Sequence, residues 1–213
     1  FGLSIIYGRN DNPFHNIDSA HLYITLAASN FLTLEEKRKL KIKQFGVDST
    51  SIEDWKDTID FKSFKYAVKV NSIEEYERYM LGYFDSDFRD KAEELRDSLV
   101  YHSVTNTSSS SAFLSFIENY PNSHLKSEAL VMYQRLLFQE LIDKDDVTAY
   151  RNFVKQYPGH PNKLAAEDSV YVKSIKDRSI QEYRNFILQN PINQNVGKAW
   201  RSIYKLYTAN YSA

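Results

Sequence analysis

The chain has 213 residues, and its 27 Lys and Arg residues nearly balance its 28 Asp and Glu residues. This balance excludes the strong basic excess that is typical of nucleic-acid-binding proteins, so we expect no nucleic-acid partner. Only 6 Gly and 5 Pro accompany 13 Phe, 16 Tyr and 2 Trp, a composition that favours long helices packed through aromatic rings over sandwiches and barrels.

The first 70 residues have an irregular helical pattern. Residues 4–7 fit either a short strand or the end of a helix. Three helices are predicted after them, over residues 21–31, 34–44 and 51–70. Gly46 follows the second of these helices and supplies the left-handed residue that commonly ends a helix. We interpret residues 1–70 as divergent helical hairpins that cap the N-terminal end of the domain.

The remainder of the chain repeats an aromatic pattern at spacings of 37, 37 and 33 residues. The four aromatic anchors, counted as position 0, are Tyr76, Phe113, Tyr150 and Tyr183. Position +3 is also aromatic, with Tyr79, Phe116, Phe153 and Phe186. Position +7 holds Tyr83, Tyr120, Tyr157 and Asn190, and position +8 holds Phe84, Pro121, Pro158 and Pro191. Position +16 is always alanine, at Ala92, Ala129, Ala166 and Ala199.

These columns predict four helical hairpins. Positions 0, +3 and +7 share one face of a first helix, and proline at +8 ends that helix near +7. The alanine at +16 lies on the second helix, where two helices approach closely. Ser72 with Glu75, and Ser179 with Glu182, are predicted capping boxes. A single hairpin cannot bury its apolar stripes, so the sequence predicts an all-α solenoid of stacked hairpins.

The predicted solenoid is one continuous domain. It joins the cap at residues 1–70 to repeats at residues 72–104, 110–143, 146–176 and 179–210, within the segment 71–213.

The repeated columns resemble the tetratricopeptide repeat over residues 72–210. The helix ending at Tyr120 and Pro121, after Phe113 and Phe116, is similar to that of bacterial envelope-assembly lipoproteins. Residues 12–24 are similar to the N-terminal helical region of bacterial WG-repeat proteins. Position +4, small in the tetratricopeptide family, is instead Met80, Ile117, Val154 and Ile187. The helices should therefore pack less tightly at this position.

The resemblance implies a right-handed solenoid of antiparallel helix hairpins. Such domains bind other proteins in a scaffold or assembly role and have no catalytic residues to carry over. The resemblance to these bacterial proteins favours a periplasmic or outer-membrane-associated location for this chain over a cytoplasmic one. Because the chain begins with Phe1 rather than Met, we also expect a leader or a further domain upstream, where a lipid anchor can be attached.

The candidate binding surface is the inner face of the first helices, at positions −2, +1 and +5 of each repeat. The last two repeats place Arg151, Lys155 and Arg184 there, and these cations can bind carboxylates of a partner protein or peptide. Five polar residues complete the predicted surface: Gln181, Thr148, Glu118, Asn152 and Asn185. The alternative is that all eight residues form an ordinary polar exterior.

No catalytic residue, metal ligand or cofactor is predicted from motifs. His15 and His21 are six residues apart, and no histidine has a second one at i+4, so no zinc motif is present. The acidic segment 143–146 lacks the Gly and Glu that a calcium-binding loop requires, because the corresponding positions hold Thr148 and Val154. With no cysteine, disulfides and cysteine-based zinc sites are excluded.

The chain also lacks an apolar stretch near the roughly 18 residues that a membrane span requires, so no direct span is expected. We therefore expect a non-enzymatic scaffold that presents a concave groove to a partner, with bacterial envelope assembly as one context. The alternative is a glycan-acting or metal-dependent helical-repeat enzyme that uses acidic residues of the N-terminal third.

Overall fold

The computed structural model describes residues 1–209, over which the chain forms twelve helices and no strand. The helices are α1 (Gly2–Gly8), α2 (Ile17–Thr33), α3 (Glu36–Lys43), α4 (Ser49–Val70), α5 (Ile73–Gly82), α6 (Arg89–Thr105), α7 (Ser110–Asn119), α8 (Lys126–Lys144), α9 (Val147–Gln156), α10 (Lys163–Ser174), α11 (Ile180–Gln189) and α12 (Val196–Ala209). The all-α prediction is therefore confirmed. Residues 4–7 lie in α1, so they form a helix and not a strand.

The chain divides into two compact units. Unit 1 contains Phe1–Thr107 and Glu118–Lys126, and unit 2 contains Ser108–Ile117 and Ser127–Ala213, of which residues up to 209 are described. The continuity and handedness of the solenoid stay predictions. Among residues 1–209, no helix combines the length and apolar character that crossing a membrane demands.

The core of unit 1 is built from α2, α4, α5 and α6. Its buried residues are Ala20, Ile59, Ala67, Tyr76, Tyr79, Met80, Tyr83 and Ala92. The rings of Tyr79 and Tyr83 stack with centroids 4.9 Å apart. Helix α1 is fixed to this core by Ser4, whose hydroxyl donates to the Ala20 carbonyl at 2.7 Å and accepts from the Trp55 indole at 2.9 Å.

The core of unit 2 is built from α8, α9, α10, α11 and α12. Its buried residues are Leu141, Tyr150, Phe153, Ala166, Val170, Tyr183, Phe186, Ala199 and Ile203. The rings of Tyr171 and Phe186 meet edge to face at 5.1 Å, an arrangement that aromatic pairs prefer. The eight anchors at positions 0 and +3 are buried, and the four alanines at +16 are fully buried. Both columns therefore lie in the interior, as their apolar character predicts.

The helix that carries each aromatic anchor ends one residue before position +7. Helices α5, α7, α9 and α11 all end at position +6. Helix α5 ends there although Phe84 replaces the proline at +8. Proline is therefore not required for the stop, and a shared turn accounts for it better.

That shared turn is fixed by the residue at position +10. In all four turns its side chain accepts a hydrogen bond from the backbone N–H at +12, at distances between 2.8 and 3.2 Å. The acceptors are Ser86, Ser123, His160 and Asn193. All four are buried. Three of the four hydrogen bonds are part-buried and the one from the Asn195 N–H is buried, so each N–H is at least partly shielded from water and this column supplies its acceptor. Serine, histidine and asparagine can all accept a hydrogen bond from a backbone N–H. They are different residue types, so position +10 does not appear as a match when the segments are aligned.

The segment before each first helix is equally regular. The residue at position −5 from each aromatic anchor has a left-handed backbone, at Asn71, Ser108, Asp145 and Arg178. The next residue caps the helix, and side-chain caps are formed by Ser72, Asp146 and Ser179. The capping box of Ser179 and Glu182 is confirmed. The Ser72 box is only half formed, because the Glu75 carboxylate pairs with Arg78 at 2.6 Å instead. Gly46 has the predicted left-handed backbone, with φ of 74°.

Candidate functional site

Unit 2 contains an open groove of about 400 Å³ on the side of the predicted binding surface. We call it the α9–α11 groove, and it is lined by Arg151, Asn152, Val154, Lys155, Glu167, Val170, Gln189, Asn190, Pro191, Ile192 and Asn193. Three of the eight predicted partner-binding residues, Arg151, Lys155 and Asn152, line this groove. Its volume lies within the range of about 300–1,000 Å³ that is usual for ligand pockets.

One wall of the groove is the turn after α11, which amide side chains attach to α10. The Asn193 amide donates to the Glu167 carbonyl at 3.1 Å, and the Gln194 amide donates to the Leu164 carbonyl at 2.9 Å. The Asn195 amide donates to Asp168 at 2.8 Å. These bonds fix the turn residues against a helix, so the wall is preorganised.

The charged side chains of the groove differ in how freely they can bind a ligand. Glu167 is buried, and its carboxylate accepts the Gln194 N–H at 3.1 Å and pairs with Lys163 at 3.6 Å. Arg151 is half-buried and donates to Asn190 and to Ser174, both at 3.2 Å. Lys155 is exposed and forms no ion pair with a residue in the range 1–209. Lys155 is therefore the cation that a ligand in the groove meets first.

The side chain of Arg151 has a structural role that its predicted function did not include. Its guanidinium joins the C-terminal residue of α10, Ser174, to Asn190 after α11. Asn190 is also the single residue of the +7 column that is not tyrosine. That departure from the repeat was the sequence signal for a special role at this position.

The other predicted residues lie outside the groove. Arg184 donates to the Tyr207 hydroxyl at 2.6 Å, and its guanidinium lies over that ring. Gln181 donates to Asn185 at 2.9 Å on the exposed face of α11. Thr148 is exposed in the first turn of α9, and Glu118 is exposed near the end of α7, in the part assigned to unit 1. The predicted surface is thus concentrated in Arg151, Asn152 and Lys155.

Unit 1 contains a second polar arrangement, which the sequence did not indicate. We call it the His21–Asp60 cluster, and it consists of His21 on α2, Lys56 and Asp60 on α4, and Asp85 in the turn after α5. Lys56 donates to Asp60 at 2.8 Å and pairs with Asp85 at 3.2 Å. The alternative prediction of a metal-dependent enzyme would place its acidic site residues in this cluster.

The ring of His21 is held in place by aromatic packing. The Tyr83 ring lies 4.1 Å from it, and the Tyr83 hydroxyl donates to Asp18 at 2.8 Å. Arg78 binds the same carboxylate at 3.1 Å. His21 and Tyr83 also line an open pocket of about 520 Å³ in unit 1. Solvent therefore reaches the edge of the cluster from this pocket.

Burial controls the protonation of this cluster. It lowers the pKa of His21 and outweighs the opposite effect of Asp60, so the imidazole is neutral at neutral pH. Burial likewise raises the pKa of the Asp60 carboxyl, against the effect of Lys56. Burial also opposes the charged form of Lys56, but its hydrogen bonds and charge pairs with Asp60 and Asp85 prevail and raise its pKa. Lys56 is therefore an ammonium.

No protein-family model matches the chain, and no curated protein shows significant sequence similarity to it.

Proposed function

We propose that this protein is a non-enzymatic interaction module, a tetratricopeptide-like repeat domain whose α9–α11 groove binds a segment of a partner protein. The observation that carries the proposal is the groove itself, where an exposed lysine and several amides surround an apolar floor. The resemblance to envelope-assembly lipoproteins makes bacterial envelope assembly the proposed setting.

The regular hairpins support the repeat part of this proposal. Four turns use the same side-chain hydrogen bond at position +10, and four left-handed residues precede the first helices at position −5. These features are local, and each hairpin carries both of them. Helical-repeat proteins commonly use the surface formed by successive hairpins to bind partners.

The chemistry of the groove favours a peptide ligand that carries a carboxylate. Lys155 supplies the positive charge, and the amides of Asn152 and Gln189 can bind the peptide backbone. Val154 lies in the same groove, and Ile192 is 87% exposed at its edge. An acidic residue next to an apolar residue would therefore match the charge and the apolar surface together.

The proposal is tested by selecting peptides that bind the full chain from a library displayed on phage. We expect the selected peptides to combine an Asp, Glu or C-terminal carboxylate with an apolar residue. Synthetic peptides are then titrated by fluorescence anisotropy. Lys155→Glu should weaken binding about tenfold or more, which corresponds to about 1.4 kcal/mol. Higher salt should weaken binding to the wild type as well.

Lys198→Glu is the matched control, because Lys198 is exposed on α12 and does not line the groove. This variant should bind as the wild type does. Arg151 is left unchanged, since its replacement would disturb Ser174 and Asn190 and so the groove wall. Equal effects of Lys155→Glu and Lys198→Glu, or the absence of any selected peptide, would reject the groove as a binding site.

A further inference from the structure

We propose that the His21–Asp60 cluster is a zinc site, in which the ligands are His21 Nε2, Asp60 Oδ1 and a carboxylate oxygen of Asp85. The potential ligand atoms of these three residues lie within 4.8 Å of one another. They come from α2, α4 and the turn after α5, so the folded unit 1 brings them together. This site is separate from the peptide groove proposed for unit 2.

Two of the three ligand atoms are buried and have no hydrogen-bond partner. His21 is 9% exposed and Asp60 is 2% exposed, and neither Nε2 nor Oδ1 forms a hydrogen bond. Buried polar atoms normally have partners, because an unsatisfied one loses its hydration without compensation. The two atoms lie 3.5 Å apart, and no hydrogen bond joins them. A cation bound by both would satisfy both.

The separation of these atoms fits zinc. In a tetrahedral site with zinc–ligand distances of about 2.1 Å, neighbouring ligand atoms are about 3.4 Å apart. The observed 3.5 Å between Nε2 and Oδ1 is close to this value. An imidazole nitrogen with carboxylate oxygens is a common zinc ligand set, whereas magnesium and calcium prefer oxygen ligands alone. Three protein ligands leave the fourth position for water.

Lys56 is the internal competitor for this site. Its ammonium contacts Oδ2 of Asp60 at 2.8 Å, which leaves Oδ1 without a partner. It also pairs with Asp85 Oδ1 at 3.2 Å. The lysine therefore supplies one positive charge at the edge of the cluster but does not satisfy the atoms between His21 and Asp60. A second cation there would be repelled by Lys56, so removal of this charge should tighten zinc binding.

Access to the site is available from the surface. The side chain of Asp85 is 44% exposed, and His21 lines the open pocket of unit 1. The Tyr83 ring packs 4.1 Å from the imidazole and limits its rotation. Zinc can thus reach a ligand set that is already oriented, and Asp85, in the turn, supplies the adaptable third ligand.

The test is a zinc titration of the full chain after treatment with a chelator, with a chromophoric zinc chelator as competitor. The wild type should bind one zinc per chain and melt at a higher temperature with zinc, since a ligand of the native state stabilises it. His21→Gln and Asp85→Asn should weaken binding about 100-fold or more, beyond what the loss of an outer contact costs. Lys56→Met should bind zinc more tightly than the wild type.

The controls are His15→Gln and Asp87→Asn, which change an exposed histidine and an exposed aspartate of the same turn. Both should bind zinc as the wild type does. Asp85→Asn changes an exposed residue and is expected to fold. Its zinc affinity therefore tests the proposal even if His21→Gln does not fold. A wild type that binds no zinc would overturn the proposal. So would equal affinities of Asp85→Asn and Asp87→Asn.

Discussion

Gly8 packs directly against side chains of α4, and its replacement by alanine should destabilise the protein. A β-carbon at this position would lie 2.6 Å from Ile59 Cδ1 and 2.9 Å from Trp55 Cζ2. Carbon atoms pack best at about 3.5–4.0 Å, so the isoleucine methyl would have to move by about 1 Å. Ile59 is fully buried, and the hydrogen bond from Trp55 to Ser4 fixes the indole ring. Neither neighbour can move without cost.

The expected loss from Gly8→Ala is about 1–2 kcal/mol. Overpacking of a core costs about 1–3 kcal/mol, while alanine gains at most about 0.5–1 kcal/mol over glycine in a helix. Gly8 is the last residue of α1, which keeps that gain small. Gly2→Ala in the same helix is the matched control, because no atom lies within 4 Å of the added carbon. It should leave the free energy of unfolding unchanged or slightly raised.

The assay is urea unfolding followed by tryptophan fluorescence in a Trp200→Phe background. The chain has two tryptophans, so Trp55 alone then reports on unit 1. Ile59→Val removes the clashing methyl and by itself costs about 0.5–1.5 kcal/mol. In the Gly8→Ala background, Ile59→Val should cost about 1 kcal/mol less than it does in the presence of Gly8, because the two substitutions affect the same contact. Equal stabilities of Gly8→Ala and Gly2→Ala, or no coupling to Ile59, would refute the close contact.

Two further predictions concern the hairpins of unit 2. Ala166→Leu should cost about 1–3 kcal/mol, because Ala166 is fully buried, whereas Ala165→Leu at the exposed neighbouring position should change stability by less than about 0.5 kcal/mol. Thermal melts that do not separate these variants would show that position +16 is not a close contact. Arg178→Asn should stabilise by up to about 1 kcal/mol, because Arg178 has a left-handed backbone that asparagine tolerates better. A lower melting temperature for this variant would contradict the assigned backbone.

The helical architecture was predictable because it depends on periodic apolar residues. The anchors at 0 and +3 are aromatic and the residue at +16 is alanine in all four occurrences of the pattern, and all of these residues are buried. The turn at +10 was not predictable, because Ser86, His160 and Asn193 share only the ability to accept one N–H. A pattern defined by hydrogen-bonding capacity does not appear as a match of residue types.

The lining of the α9–α11 groove was predictable only in part, for a related reason. Arg151, Asn152 and Lys155, which the sequence predicted for one surface, line the same groove. Position in the repeat could not show that Arg151 is engaged by Ser174 and Asn190 while Lys155 is left without an ion pair among the described residues. Helical spacing determines the face on which a side chain lies. The availability of its charge depends on neighbours from other helices.

The His21–Asp60 cluster lay beyond sequence reasoning because each element contributes a single ligand. A motif search depends on two ligands close in the chain, as in paired histidines one turn apart, whereas His21, Asp60 and Asp85 are distant in sequence. The ion pair between half-buried Lys56 and buried Asp60 is also poor evidence of a purely stabilising role, since apolar residues of similar volume often stabilise a protein as well or better. An ion pair alone accounts for Oδ2 of Asp60 and leaves Oδ1 and the imidazole nitrogen unsatisfied. A metal ion accounts for both, and the contrast between Lys56→Met and Asp85→Asn in zinc affinity therefore separates a binding site from a structural ion pair.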